Sequence, residues 1–313
     1  MMTSKNDLIK CHNRIKPLIH NTPVLRSSSI DELIGARLYF KCDNFQKMGA
    51  FKMRGAANAI LQLSEDQKKR GVITHSSGNF AQALSLAANS IGVKAYIVMP
   101  SNATEIKKVA VKGYMGELIE CEPNLSAREK KSIEIQESTG ATFIHPSNDL
   151  DVILGQGTAC KELLEEHNDL NYIFTPVGGG GLIAGSALAA KYFGSNCSVI
   201  GAEPYEVDDA YRSLKSGRIE KNSSTNTIAD GLKTELGDIN FQIIKKEINQ
   251  IIRVTEKEII ESMKIIWERL KIVCEPSCAV PLAAIFKEKK YFQQKKIGVI
   301  ISGGNVDLSK LPF

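Results

Sequence analysis

Short runs of β-branched and other apolar residues alternate along the chain with longer stretches rich in alanine and leucine. The runs at 72–74, 95–99, 117–121, 142–145, 172–177, 198–202 and 297–302 predict strands. Between them, residues 80–91, 157–167 and 182–193 have helical spacing and glycine punctuation near their ends, and they predict helices. This alternation predicts an α/β fold with mostly parallel sheets flanked by helices, in which ligands gather at the carboxyl ends of strands. Three polar, glycine-bearing segments occupy such ends. Ser76-Ser77-Gly78-Asn79 and Gly178-Gly179-Gly180-Gly181 each follow a strand and open a helix, and Ser302-Gly303-Gly304-Asn305 follows the last strand. No repeat, low-complexity tract or proline-rich linker divides the chain, so a second domain is expected as an insertion within the first.

Composition narrows the class. The 313 residues, 43% of them hydrophobic, suffice for one large or two medium domains with a buried core. The net charge of +5 comes from lysines that are scattered or in short runs such as Lys287-Glu288-Lys289-Lys290, without interleaved aromatics. This is the pattern of solvated helix faces, and no nucleic-acid partner is expected. Seven cysteines without a Cys-x-x-Cys pair or zinc spacing read as reduced thiols, with Cys274 and Cys278, the closest pair, in the core. The polar start, Met1 to Lys10, and the lack of a run of about 20 apolar residues predict a cytoplasmic protein without a membrane partner.

The candidate chemistry centres on Lys52, in Gly49-Ala50-Phe51-Lys52-Met53-Arg54-Gly55. An amine nucleophile, an anion cradle and a hydroxyl before a glycine pair are the parts that hold pyridoxal phosphate by its aldehyde, its phosphate and its pyridine nitrogen. The run Gly178 to Gly181 lies between an apolar strand and an apolar helix, where its amides converge on an anion. It is neither a Walker loop, since no Gly-Lys-Ser/Thr follows, nor a Gly-x-Gly-x-x-Gly fingerprint with a ribose-binding acid. A flexible turn and a surface lysine are the bland alternatives for these two features.

Nearly the whole chain resembles the serine racemase and serine/threonine dehydratase family of fold-type II pyridoxal phosphate enzymes, which share the tryptophan synthase β-like fold. The matching stretches are Phe40-Lys41-Cys42 with Phe45-Gln46-Lys47, Phe51 to Gly55, His75 to Asn79, Gly155-Gln156-Gly157-Thr158, Pro176 to Gly185, Thr227-Ile228-Ala229-Asp230-Gly231, Glu275-Pro276 and Ile301 to Leu308. The resemblance implies two αβα domains: residues 1–68 and 149–313 as the large one, 69–148 as a small one that closes over the substrate. It implies that Lys52, beside Phe51, carries the cofactor, that Asn79 bonds its phenolic oxygen, and that Gly178, Gly179, Gly180 and Gly181 hold its phosphate. Ser302 would face the pyridine nitrogen. A neutral hydroxyl there leaves the nitrogen largely unprotonated and the ring a weaker electron sink, which favours elimination or rapid reprotonation at Cα.

Ser77 separates the nearest alternatives within the family. A serine there matches the racemase-like members, whereas threonine dehydratases generally carry alanine. A second acid/base opposite Lys52 lets a proton leave one face and return to the other. Helix capping is the competing role. Ser76, Ser77, Asn79 and Arg128 are the expected substrate contacts, with an exposed helix arginine the alternative for Arg128. Phe80 and Ala50 stand where relatives commonly carry histidine and serine, which makes this pocket less polar. Glu203-Pro204-Tyr205-Glu206-Val207-Asp208-Asp209 resembles the family's divalent-cation site, with Glu203, the Val207 carbonyl and Asp209 as ligands for magnesium, calcium or manganese. The resemblance also implies a homodimer. The function expected is serine racemisation with elimination of water from serine or threonine. The alternatives are an ammonia-lyase for serine, threonine or 3-hydroxyaspartate without racemisation, β-replacement on the same fold, and a non-enzymatic cofactor-binding protein.

Overall fold

The computed structural model describes residues 3–313, and Met1 and Met2 of the polar start lie outside them. Ten strands form two sheets. The larger is built from β1 (Val24–Leu25), β2 (Arg37–Cys42), β7 (Tyr172–Pro176), β8 (Ser198–Pro204), β9 (Ile251–Val254) and β10 (Lys296–Ile301) in the order β1-β2-β10-β7-β8-β9. The smaller contains β3 (Val72–His75), β4 (Ala95–Pro100), β5 (Glu117–Cys121) and β6 (Thr142–Phe143) in the order β5-β4-β3-β6. Every pairing is parallel except β1 with β2.

Both faces of the large sheet are covered. Phe40, Phe174, Val299 and Ile301 pack into one core with Val280 and Met263, while Tyr39, Ile173 and Ile300 pack into another with Leu163 and Ile183. Successive strand residues thus feed opposite cores, as the period-two alternation of a strand covered on both faces requires. The helices Lys52–Leu61 and Asn79–Ile91 share a third core with Val72, Ile97 and Met99 of the small sheet.

The seven expected strands are all present, although the one expected at 142–145 stops at Phe143. Strands β1, β2 and β9 were not expected: Arg37 and Lys41 interrupt the apolar run of β2, and Arg253 that of β9. The helix expected at 157–167 runs instead from Leu150 to Glu166, straight through Gly155. That glycine does not punctuate the helix. A Cβ on Gly155 would stand 2.4 Å from the Arg54 carbonyl oxygen, so the residue allows two helices to touch. Among the described residues, no helix is long and apolar enough to cross a membrane, and all seven cysteines are free, with Cys274 and Cys278 buried.

Strand β10 is last in sequence but lies between β2 and β7. The turn at Ser302 therefore emerges between the segment leading to Lys52 and the glycine run after β7. This switch in strand order opens a crevice at the carboxyl ends.

Candidate active site

Lys52 opens the helix Lys52–Leu61, and the residues before it, of which Ala50 is extended, are pinned to the Ser302 turn. The Phe51 amide donates to the Ser302 carbonyl at 2.9 Å, the Gly304 amide to the Gly49 carbonyl at 2.8 Å, and Ala50 bridges Gly303. The Lys52 amine donates to the Pro146 carbonyl at 2.8 Å and lies 4.9 Å from the Phe51 ring centroid and 5.8 Å from that of Phe80. Burial drives this amine down to about 8, against the opposing charge of Glu275. No carboxylate ion-pairs with it among the described residues. The buried Phe80 ring forms part of the apolar wall that desolvates it.

The turn after β3 carries Ser76, Ser77 and Asn79. Ser76 Oγ accepts from the Gly78 amide at 3.3 Å, whereas the Ser77 hydroxyl makes no hydrogen bond among the described residues. Asn79 Nδ2 donates to both oxygens of Glu275 at 3.1 Å, and Asn305 Nδ2 donates to Asn79 Oδ1 at 2.9 Å. These contacts fix the orientation of the Asn79 amide. Glu275 is buried, and burial followed by repulsion from Asp230 raises its carboxyl to about 7, although the Asn79 bond opposes the rise.

On the far side, Gly180, at φ +80°, caps the helix Gly181–Phe193. Among the described residues no acceptor meets the amides of Gly178 to Gly181. Their side-chain-free surface is a cradle: a Cβ on Gly179 would approach Ser147 Oγ to 2.5 Å, and one on Gly181 would approach Gln156 Oε1 to 2.4 Å. Asn240 Nδ2 holds the loops together by donating to the Ser147 and Gly179 carbonyls at 3.2 and 2.8 Å. Open amides at the start of a 13-residue helix suit a phosphate. With the uncompensated amine of Lys52, these residues fit a phosphorylated aldehyde.

Ser302 is buried, its hydroxyl 3.3 Å from Cys278 Sγ. Arg128, half-buried on the helix Leu125–Thr139, has a buried Nε without a partner among the described residues, and its charge lies close enough to His75 to lower that imidazole further, after burial itself. Away from this crevice, both oxygens of Glu203 accept backbone amides, from Ala210 at 3.1 Å and Tyr211 at 2.9 Å. Asp209 accepts from the Leu236 amide and Asn222 Nδ2, both at 2.9 Å. Burial and repulsion from Asp209 push Glu203 up, and burial pushes Asp209 up to about 6. Among the described residues no lysine or arginine pairs with either one. Two buried carboxylates without a paired cation are hard-oxygen donors of the kind a divalent cation takes, and each oxygen already accepts a hydrogen bond. No group of three or more His, Cys, Asp or Glu side chains with that capacity occurs among the described residues.

Several site residues were not singled out from the sequence. Glu275 was noted only as part of a matching motif. His145 is driven down to about 4 by burial and by the charges of His75 and Lys52. It accepts the Ser147 and Asn148 amides on Nδ1 at 3.2 and 2.8 Å, so it shapes the turn whose Pro146 carbonyl holds Lys52. Its sequence signal was an isolated histidine at the end of the strand expected at 142–145, and the strand stops two residues short of it.

An enclosed amine opposite an amide cradle, at the carboxyl ends of two α/β sheets, defines an enzyme that works through an aldehyde cofactor. The chain belongs to the pyridoxal-phosphate dependent enzyme family, whose model matches residues 15–303. It is 50% identical to a serine racemase of Dictyostelium discoideum, covering 97% of this chain and 95% of that one. It is 47% identical to a beta-hydroxyaspartate dehydratase of Paracoccus denitrificans, covering 98% of each. The structure of maize serine racemase superposes with a TM-score of 0.96 at 43% identity, covering 99% of this chain and 95% of that one. This is a fold-type II pyridoxal phosphate enzyme.

Proposed function

We propose that this enzyme racemises serine and also eliminates water from serine or threonine, releasing ammonia with pyruvate or 2-oxobutanoate. When bound, pyridoxal phosphate supplies the aldehyde that captures the substrate amine and the ring that withdraws electrons from Cα. The chain's own residues supply the protons. Lys52 Nζ, lowered to about 8 so that its lone pair is far more accessible than that of an ordinary lysine, takes the Cα proton on one face. Ser77 Oγ returns a proton to the other face in racemisation. In elimination the proton that Lys52 Nζ took from Cα goes to the β-hydroxyl, which leaves as water. Ser76, Asn79 and Arg128 bind the substrate, and the unpartnered Nε of Arg128 suits a carboxylate. Gly178 to Gly181 hold the phosphate, Ser302 faces the ring nitrogen, and residues 69–148 close over the crevice.

The observation that carries this reading is the Lys52 amine: enclosed, uncompensated and lowered to about 8. The full-length likeness to both a racemase and a dehydratase supports one carbon-acid chemistry with two outcomes. The same likeness favours a second reading, an ammonia-lyase for 3-hydroxyaspartate in which Ser77 positions substrate without inverting it. Glu203, the Val207 carbonyl and Asp209 hold magnesium, calcium or manganese in a structural or activating role. The active form is a homodimer, and the free thiols suit the cytoplasm.

The test is incubation with L-serine, L-threonine and 3-hydroxyaspartate, with D-serine followed by chiral chromatography and 2-oxoacids in the same samples. D-serine and pyruvate should both form, and Ser77→Ala should lose the first while keeping the second. Oxoacid without D-serine would leave the ammonia-lyase. Chelation should lower activity or thermal stability, and restored magnesium should recover it.

A further inference from the structure

Cys278 is a fully buried thiol that the chemistry above does not use. It stands at the third position of the helix Pro276–Lys287, behind the Ser302 turn. Its Sγ lies 2.8 Å from the Gly303 carbonyl oxygen, 2.9 Å from the Gly303 amide nitrogen and 3.3 Å from Ser302 Oγ. The side chain therefore grips both backbone groups of the residue after Ser302 and touches the serine hydroxyl as well.

Counting hydrogens limits the arrangement. The Gly303 amide can only donate, so the sulfur accepts that bond. The thiol then has one hydrogen for two acceptors, the Gly303 carbonyl and Ser302 Oγ. The carbonyl accepts the Glu275 amide at 3.1 Å and takes the thiol hydrogen on its second lone pair at 2.8 Å, so the thiol turns to Ser302 Oγ only when that serine gives its own hydrogen away. A serine that gives its own hydrogen to an outside acceptor keeps lone pairs free for the thiol hydrogen.

We propose that Cys278 is a positioning residue whose thiol, clamped by Gly303, donates to Ser302 Oγ and so aims the serine hydrogen at the ring nitrogen of the cofactor. The proposal rests on the reading that Ser302 faces that nitrogen. The thiol remains protonated for this work, because burial and then the Glu275 charge push it far above the usual thiol range. No bond is made or broken at sulfur. The effect is to hold one rotamer of Ser302 and to keep the hydroxyl a donor, which sets how strongly the ring draws electrons.

A double-mutant cycle tests this on the holoenzyme, read by the visible absorption of the bound cofactor and by its dissociation constant. Cys278→Ala should shift the absorption band and weaken cofactor binding about fivefold, the size of one hydrogen bond. Cys278→Ser, which keeps a donor, should restore both. In a Ser302→Ala background, Cys278→Ala should change neither, because the residue it acts through is gone. Should the alanine cavity prevent folding, Cys278→Val fills the space without a polar hydrogen and should behave as alanine would. A wild-type spectrum and affinity in the folded Cys278 variant, beside a changed Ser302→Ala, would overturn the proposal alone. So would an undiminished Cys278 effect in the double variant. A silent Ser302→Ala would overturn the facing of Ser302, and the proposal with it.

Discussion

Lys52 and Arg54 lie two residues apart at the start of one helix, and burial has opposite consequences for them. Arg54 is fully buried, yet its guanidinium is held further into the charged state than usual. Burial opposes the charge, but Asp43 at 2.6 Å and Glu162 at 2.7 Å outweigh it. Glu162 in turn accepts Lys41 at 2.7 Å and His12 at 3.0 Å. Despite burial, these contacts hold its carboxyl below the usual range. Around Lys52 the same low polarity meets no such compensation, so Lys52 falls, Glu275 rises and His145 falls, each towards its neutral form. Compensation, not burial, separates the two regions. The Arg54 network fixes the helix; Lys52 at about 8 and Glu275 at about 7 are left close enough to neutral pH to exchange protons there.

The comparison breaks most sharply at the two residues themselves. Lys52→Ala should lower turnover by at least about 10²–10⁴-fold, the range for a lost acid/base alone, since on the proposed reading cofactor attachment goes with it. The apoprotein should be no less stable than wild type at pH 7. The wild-type unfolded chain holds the Lys52 proton up to the ordinary lysine value of 10.5, whereas the folded amine releases it near 8, so wild-type stability rises with pH between those values. At pH 7 the folded chain bears the cost of the charge, and alanine removes it. Arg54→Met should do the reverse, costing about 3–5 kcal/mol in urea denaturation because Asp43 and Glu162 are left buried without their shared cation. Equal loss of stability in both variants would erase the distinction.

Glu275 sharpens it through pH. Its folded value of about 7 exceeds the ordinary 4.5, so between those values the folded chain holds a proton that the unfolded chain has lost. Stability from this group is therefore present below about pH 4.5 and lost as pH rises towards 7. Glu275→Gln should remove this decline, which amounts to about 3 kcal/mol across the window. Unfolding of the two apoproteins at pH 4.5, 6 and 7.5 measures it.

Much of this site was legible as sequence, and what was not follows a pattern. The Ser76–Asn79 turn, the glycine run and Ser302 lie on short segments next to strands, where local order signals both position and chemistry, and Lys52 stands out by the motif from Gly49 to Gly55 that surrounds it. Glu275 and Cys278 act through partners 196 and 24 positions away, as the Asn79–Glu275 and Cys278–Ser302 contacts show, and His145 acts through a turn whose shape depends on the fold. Strand β2 was hidden because its Lys41, buried against Glu162, breaks the apolar run that strand recognition depends on. Buried compensated charge makes core look like surface. The same cause concealed Arg54, which stood in a quoted motif without a role.

Phe80 offers the smallest test and the most local one. Its ring forms part of the apolar wall 5.8 Å from the Lys52 amine, at the position where the resemblance leads one to expect histidine. Phe80→His supplies a polar ring and admits water, so the amine is better solvated and its value climbs from about 8 towards 10.5. A rise of less than about one unit is expected, under about 1.4 kcal/mol, because Phe51 and the rest of the wall remain. Only the neutral amine attacks an aldehyde, so the rate at which the apoprotein takes up pyridoxal phosphate should follow this titration. In Phe80→His its midpoint should move up, making uptake slower at pH 7 and equal to wild type well above both values. An unmoved midpoint would mean that Phe80 does not desolvate Lys52, and that the missing compensating charge alone sets the contrast with Arg54.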